Sequence, residues 1–143
     1  MVDVLPGNLT GSYHVRALRP AFHDAHKWLP KSKDRAELRR HSLKLRFWPE
    51  KSPKDERGQL LDLDWSWIKA LGGYRIGELR VHDTIGGCDN LRVIFFDPDN
   101  KKPHPTIWVL AVFQKKRDDF TKAQLDNFKL RRQLVIERFY QNS

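Results

Sequence analysis

Residues 76–82 read Ile-Gly-Glu-Leu-Arg-Val-His. In an extended chain successive side chains point to opposite faces, so Glu78, Arg80 and His82 share one face. These residue types suit phosphate chemistry. Arginine presents a rigid fork of donors to phosphate oxygens. Histidine titrates near neutral pH and can move a proton. A carboxylate between them can hold either cation. The same pattern also describes a solvated strand face with an ordinary ion pair, and the residues alone do not separate the two readings. In the next apolar run, Leu91-Arg92-Val93-Ile94-Phe95-Phe96, Arg92 needs either a partner for its charge or a place at a cleft. Asp89 and Asp97 are the expected partners for an ion pair. A third apolar run ends in Gln114-Lys115-Lys116-Arg117. Three cations beside two arginine-bearing strands would attract a phosphodiester and stabilise the charge that develops as it is cleaved. Taken singly, such a run is a solvated tail.

Other chemistries find little support. The sequence has no Gly-rich phosphate loop, no nucleophile elbow and no paired-carboxylate motif, so no cofactor is expected. His23 and His26 could lie near one helix face, but a metal centre needs a third ligand and none is evident, so no metal is expected. A single cysteine, Cys88, excludes an intrachain disulfide and a thiolate zinc site. It fits a reduced, cytoplasmic protein. Residues Met1 to Asn8 show no basic n-region and no apolar h-region, so no secretory leader is expected. No apolar run approaches the ~18–20 residues of a membrane span, so no membrane partner is expected. The 27 Lys and Arg against 18 Asp and Glu give a net charge of +9, which favours an anionic partner.

The elements that must position these residues can be read along the chain. The 143 residues suit one domain, 1–143. Residues 1–12 read as a loose lead-in and 49–59 as a polar loop. Tyr13–Leu18 alternates as a first strand. Pro20 opens a helix with Phe22, Ala25 and Leu29 at helical spacing. A second, strongly basic helix is expected from Ser32 to Trp48, with Ala36, Leu43 and Phe47 inward, stopped by Pro49. Asp64 can cap a short helix through Leu71, ended by Gly72-Gly73. Tyr74–His82, Leu91–Phe96 and Ile107–Phe113 read as strands, joined by turn-rich connectors at 84–90 and 97–106 that favour an antiparallel meander. The last two strands are apolar on nearly every residue, so both faces should be covered. Thr121 and Gln124 form a capping box, with Phe120 and Leu125 placed as a hydrophobic staple. Leu125, Phe128, Val135 and Phe139 continue that helix's apolar stripe. The expected class is α+β, a small antiparallel sheet packed against helices.

Three segments carry a family resemblance. Gly77–His82 (GELRVH) resembles the "(W/Y)ELR" strand of the RelE/ParE toxin superfamily. Leu91–Phe96 (LRVIFF) resembles its "YRVxY/F" strand, and WVLAVFQKK at 108–116 resembles its "xxLLHxFxKK" strand. The order and spacing agree over roughly residues 74–140, with the HigB branch most similar, and the preceding helices fit that family's β-α-α-β-β-β-α plan. The resemblance implies a RelE-like fold and the toxin of a type II toxin–antitoxin pair. It implies a metal-independent mRNA endoribonuclease, acting on translating ribosomes as many relatives do, held in check by a cognate antitoxin. That antitoxin would be a helix-turn-helix protein from the adjacent gene. On this likeness Arg80 and Arg92 fall on the family's strand arginines, and Lys115 and Lys116 on its strand-end lysines. Arg92 would clamp the scissile phosphate, with Arg80 and Lys116 holding flanking charge. His82 is assigned the base on its place in the strand, not on a motif. Lys115, Arg117, Arg39 and Arg40 are the expected RNA-binding residues. Leu91 and Phe120 stand where relatives carry tyrosine, and Glu78 where some carry lysine. Other readings are a ParE-like gyrase inhibitor, a protein-binding module, or a nucleic-acid-binding domain with no toxin role.

Overall fold

In a computed structural model of the protein, residues 13–51, 53–54, 57–99, 105–116 and 118–140 are described. The lead-in 1–12, parts of the 49–59 loop and the 97–106 connector, and Arg117 lie outside the described residues. The three apolar runs form the middle of the sheet: β3 (Ile76–Val81), β4 (Leu91–Phe96) and β5 (Thr106–Gln114). Their alternating side chains feed two separate cores. Val81, Val93, Phe95 and Val109 face α1 (Arg19–Trp28) and α2 (Ser32–Ser42). Ile76, Ile94, Phe96 and Trp108 face α3 (Lys122–Phe139). The domain is thus α+β, with helices on both faces of one sheet, as continuous apolar strands require.

The sheet has five strands in the order β1-β5-β4-β3-β2. It is mixed, which corrects the antiparallel expectation. β1 (His14–Ala17) enters beside the last strand and runs parallel to it, while β2 to β5 are antiparallel. The helix expected from Asp64 to Leu71 is also corrected. Its sequence folds as β2 (Trp65–Trp67) and a 3-10 turn at Lys69–Leu71. Trp-Ser-Trp alternates with period two, and its tryptophans favour a pleated, half-buried surface. The chain then turns through Gly73 and Arg75, both at positive φ.

The inward faces of α1 and α2 differ in part from those expected: Leu29 and Phe47 are buried as read, whereas Phe22, Ala36 and Leu43 are exposed. In α1 it is Ala21, not Phe22, that is buried, four residues from the half-buried Ala25 and eight from the buried Leu29. α2 ends at Ser42 and continues as a 3-10 turn, Leu43–Phe47. Within α2 Leu38 is buried and Ala36 exposed; in the tighter turn that follows Leu45 is buried and Leu43 exposed, while Phe47 is buried as expected. The capping box of α3 forms as expected: the Thr121 hydroxyl accepts from the Gln124 N–H at 3.1 Å, and the Gln124 side chain accepts from the Thr121 N–H at 2.9 Å. No helix among the described residues is long and apolar enough to cross a membrane.

Two details hold the sheet's shape. β1 pairs with β5 only from Thr106 to Val109. Beyond that point Asp24 of α1 accepts from the Val112 N–H at 3.1 Å, and Arg131 of α3 donates to the Leu110 carbonyl at 3.0 Å. The two side chains pair with each other at 2.6 Å, so a helix from each face closes the open edge of β5. In β3, Gly77 lies opposite Phe95. A Cβ there would sit 2.5 Å from the Phe95 ring. The missing side chain lets that ring lie on the strand among Trp48, Trp65 and Trp67.

Candidate active site

The β3–β4 register sets Arg80 directly opposite Arg92. Like charges facing each other across an antiparallel pair repel, so each must be balanced nearby. Arg80 donates to the Asp64 carboxylate at 3.3 Å and to the Ser66 hydroxyl at 3.1 Å, both from the β2 side. Arg92 donates through Nε to Glu78 at 3.0 Å. Lys115 at the end of β5 stands 4.0 Å from the same Glu78 oxygen. His82, just past β3, meets the other Asp64 oxygen at 2.7 Å. Asp64 therefore bridges Arg80 and His82, and Glu78 gathers Arg92 and Lys115.

Glu78, Arg80 and His82 lie along one strand face as the alternation predicts. Their exposure rises along it, from the buried Glu78 through the half-buried Arg80 to the exposed His82. Glu78 is buried because it sits in the row of Ile94 and Ala111, under the α3 side of the sheet. Arg92 is paired with Glu78 and not with Asp89 or Asp97, which corrects the sequence expectation. Asp97 binds Arg75, and Asp89 accepts from Gln114 at 2.9 Å. The nearest aspartates in sequence lie at the ends of β4, whereas the cross-strand register delivers Glu78.

A shallow polar depression of about 540 Å³ opens beside this cluster, lined by Asp89, Asn90, Arg92, Gln114, Lys115, Lys116 and Asp118. Two of its lysines lie over aromatic rings. Lys115 lies over Phe120 at 4.5 Å, and Lys116 over Trp28 at 5.9 Å. The structure thus brings Arg80, His82, Arg92 and Lys115 to one sheet face, with Lys116 joining at the rim. Arg39 and Arg40 are not brought there. They are exposed on α2, across the sheet, and Arg39 lines a separate groove between α1 and α2. Asp64 and Ser66 are the residues that sequence reasoning missed. The Trp-Ser-Trp alternation was the available signal, because reading it as a strand places both beside β3.

Compared with protein-family models, curated proteins and solved structures, the chain finds no match. The chemistry rests on the cluster itself. It offers two guanidinium groups, two ammonium groups at the strand end, and an imidazole held by a carboxylate. Such a set can bind a phosphodiester and move one proton.

Proposed function

We propose that the chain is a toxin of the RelE/HigB kind, a metal-independent endoribonuclease of mRNA silenced by a cognate antitoxin. The observation that carries this reading is the direct pairing of Arg80 with Arg92, beside the His82–Asp64 pair and Lys115. In this reading Arg92 holds the scissile phosphate. It meets Glu78 through Nε and the Leu91 carbonyl through Nη1 at 3.4 Å, so Nη2 is the nitrogen that can turn toward an anion. Arg80, Lys115 and Lys116 offset the charge of the crowded phosphorane. His82, steadied by Asp64, takes the proton of the ribose 2′-OH as that oxygen attacks phosphorus. The new bond is 2′-O–P. The bond that breaks is P–O5′; the departing 5′ oxygen takes its proton from water, and His82 returns its own to solvent. The products are a 2′,3′-cyclic phosphate and a 5′-OH.

One observation favours a second reading, a non-catalytic binding module. Each arginine already has a carboxylate, Asp64 or Glu78, as a purely structural ion pair would. Controlled expression with mapping of transcript 5′ ends separates the readings. The toxin reading predicts new 5′-OH ends within minutes of induction, and arrest relieved by co-expression of the adjacent gene. Intact transcripts in arrested cells, or no arrest at all, would sink it. Arrest with intact transcripts and gyrase-linked DNA damage would instead indicate the ParE-like alternative.

A further inference from the structure

We propose a divalent transition-metal site at Glu37, His41 and Asp83, where an imidazole and two carboxylates from α2 and the β3–β4 connector converge. Glu37 and His41 are one turn apart on α2 and share a face. Asp83 comes from the first residues of the connector. The ligand atoms of all three lie within 4.8 Å of one another, and His41 Nε2 is 3.0 Å from the Asp83 carboxylate. A tetrahedral ion at about 2.0–2.2 Å from such donors holds them roughly 3.4 Å apart. Closing on an ion therefore requires side-chain adjustments of about an ångström, with no change of backbone.

The connector is already fixed. Ile85 is buried in the core, Ile85 and Cys88 exchange backbone hydrogen bonds, and Cys88 Sγ lies 3.5 Å from the Trp28 carbonyl. The backbone that carries Asp83 is thus fixed before any ion arrives, which lowers the cost of binding. His41 is 16% exposed at its side chain and Asp83 61%, so the site has a sheltered base and an open mouth. Lys44, on the following turn, donates to the Asp62 carbonyl at 3.3 Å. The two carboxylates match the charge of a divalent ion. One nitrogen and two oxygens at low coordination number suit zinc and its neighbours, whereas Mg²⁺ and Ca²⁺ take six or more oxygens. With three protein ligands, one position stays open to water.

The ion's role here is structural. It ties α2 to a connector that starts beside His82 and ends at Asp89 and Asn90 on the rim of the polar depression. It takes no part in the phosphate chemistry, and it stands or falls independently of the RNA reading. Thermal melts of the chelator-stripped full chain, with and without Zn²⁺, test it. A saturating excess of Zn²⁺ should raise the Tm by roughly 5 °C or more, and the same excess of Mg²⁺ should not. Glu37→Gln and Asp83→Asn, each compared with its own metal-free melt, should lose most of that rise, and His82→Asn should keep it. Co²⁺ should give visible absorption bands at one equivalent, absent in Glu37→Gln. No rise with Zn²⁺, or a full rise in both carboxamide variants, overturns the site. A rise lost only in His82→Asn places the ion at the His82–Asp64 pair and also overturns it.

Discussion

Arg92→Ala is the perturbation on which structural and catalytic roles diverge most clearly. The Glu78 side chain is 6% exposed and that of Arg92 15%. Among the described residues, removing the guanidinium leaves the buried carboxylate with Lys115, at 4.0 Å. Breaking a buried pair by deleting one partner costs about 3–5 kcal/mol. For a chain of this size that corresponds to a Tm loss of roughly 10–15 °C. The second substitution Glu78→Gln removes the stranded charge, so Glu78→Gln/Arg92→Ala should recover most of the loss. A double-mutant cycle should then give a coupling of at least ~1.5 kcal/mol. Urea denaturation of wild type, both single variants and the double variant measures it. If Arg92→Ala melts within about 2 °C of wild type, the buried-pair argument is wrong.

Three other perturbations follow from the same geometry. Asp24→Ala removes the acceptor for the Val112 N–H and the partner of Arg131, and should cost about 2–3 kcal/mol in urea denaturation; a loss under 0.5 kcal/mol on that scale would show that the β5 edge needs no such closure. Gly77→Ala pushes a methyl into the Phe95 ring and should cost about 1–3 kcal/mol, with a changed near-ultraviolet signal from the tryptophan cluster; an unchanged melt would mean that the ring moves freely. Binding of the purified protein to RNA should weaken on the order of 10³-fold between 50 and 200 mM salt if several phosphates are engaged, and a flat response would assign the basic face to a protein partner.

What was legible in the sequence was mostly local. Thr121 and Gln124 sit three residues apart, so their capping box could be read without knowing the fold. The runs around Arg80, Arg92 and Val109 declared themselves as strands because their apolar stretches are short and bounded by turns. What failed depended on distant partners. Asp64 looked like a helix cap because nothing nearby revealed that β2 would pair with β3 and deliver its carboxylate to Arg80 and His82. Arg92 looked bound to the nearest aspartates, but strand register chose Glu78 from another strand. Leu45 replaced Leu43 on the inner face where α2 gives way to a 3-10 turn that periodicity alone does not announce, and within α2 itself Leu38 is buried instead of Ala36. Arg39 and Arg40 share the charge of the site residues, yet the sheet separates them from it. Glu37, His41 and Asp83 are joined only by the packing of α2 on the β3–β4 connector.

Whether this cluster cleaves RNA is read from single-turnover cleavage by folded variants. Wild type, His82→Ala and Glu78→Gln/Arg92→Ala are compared by primer extension on translated mRNA, at a temperature where all three are folded. Rates should fall by roughly 10²–10⁴-fold in His82→Ala, with no detectable cleavage in Glu78→Gln/Arg92→Ala. Wild-type cleavage rates in both variants, with their folds intact, would contradict cleavage by this cluster.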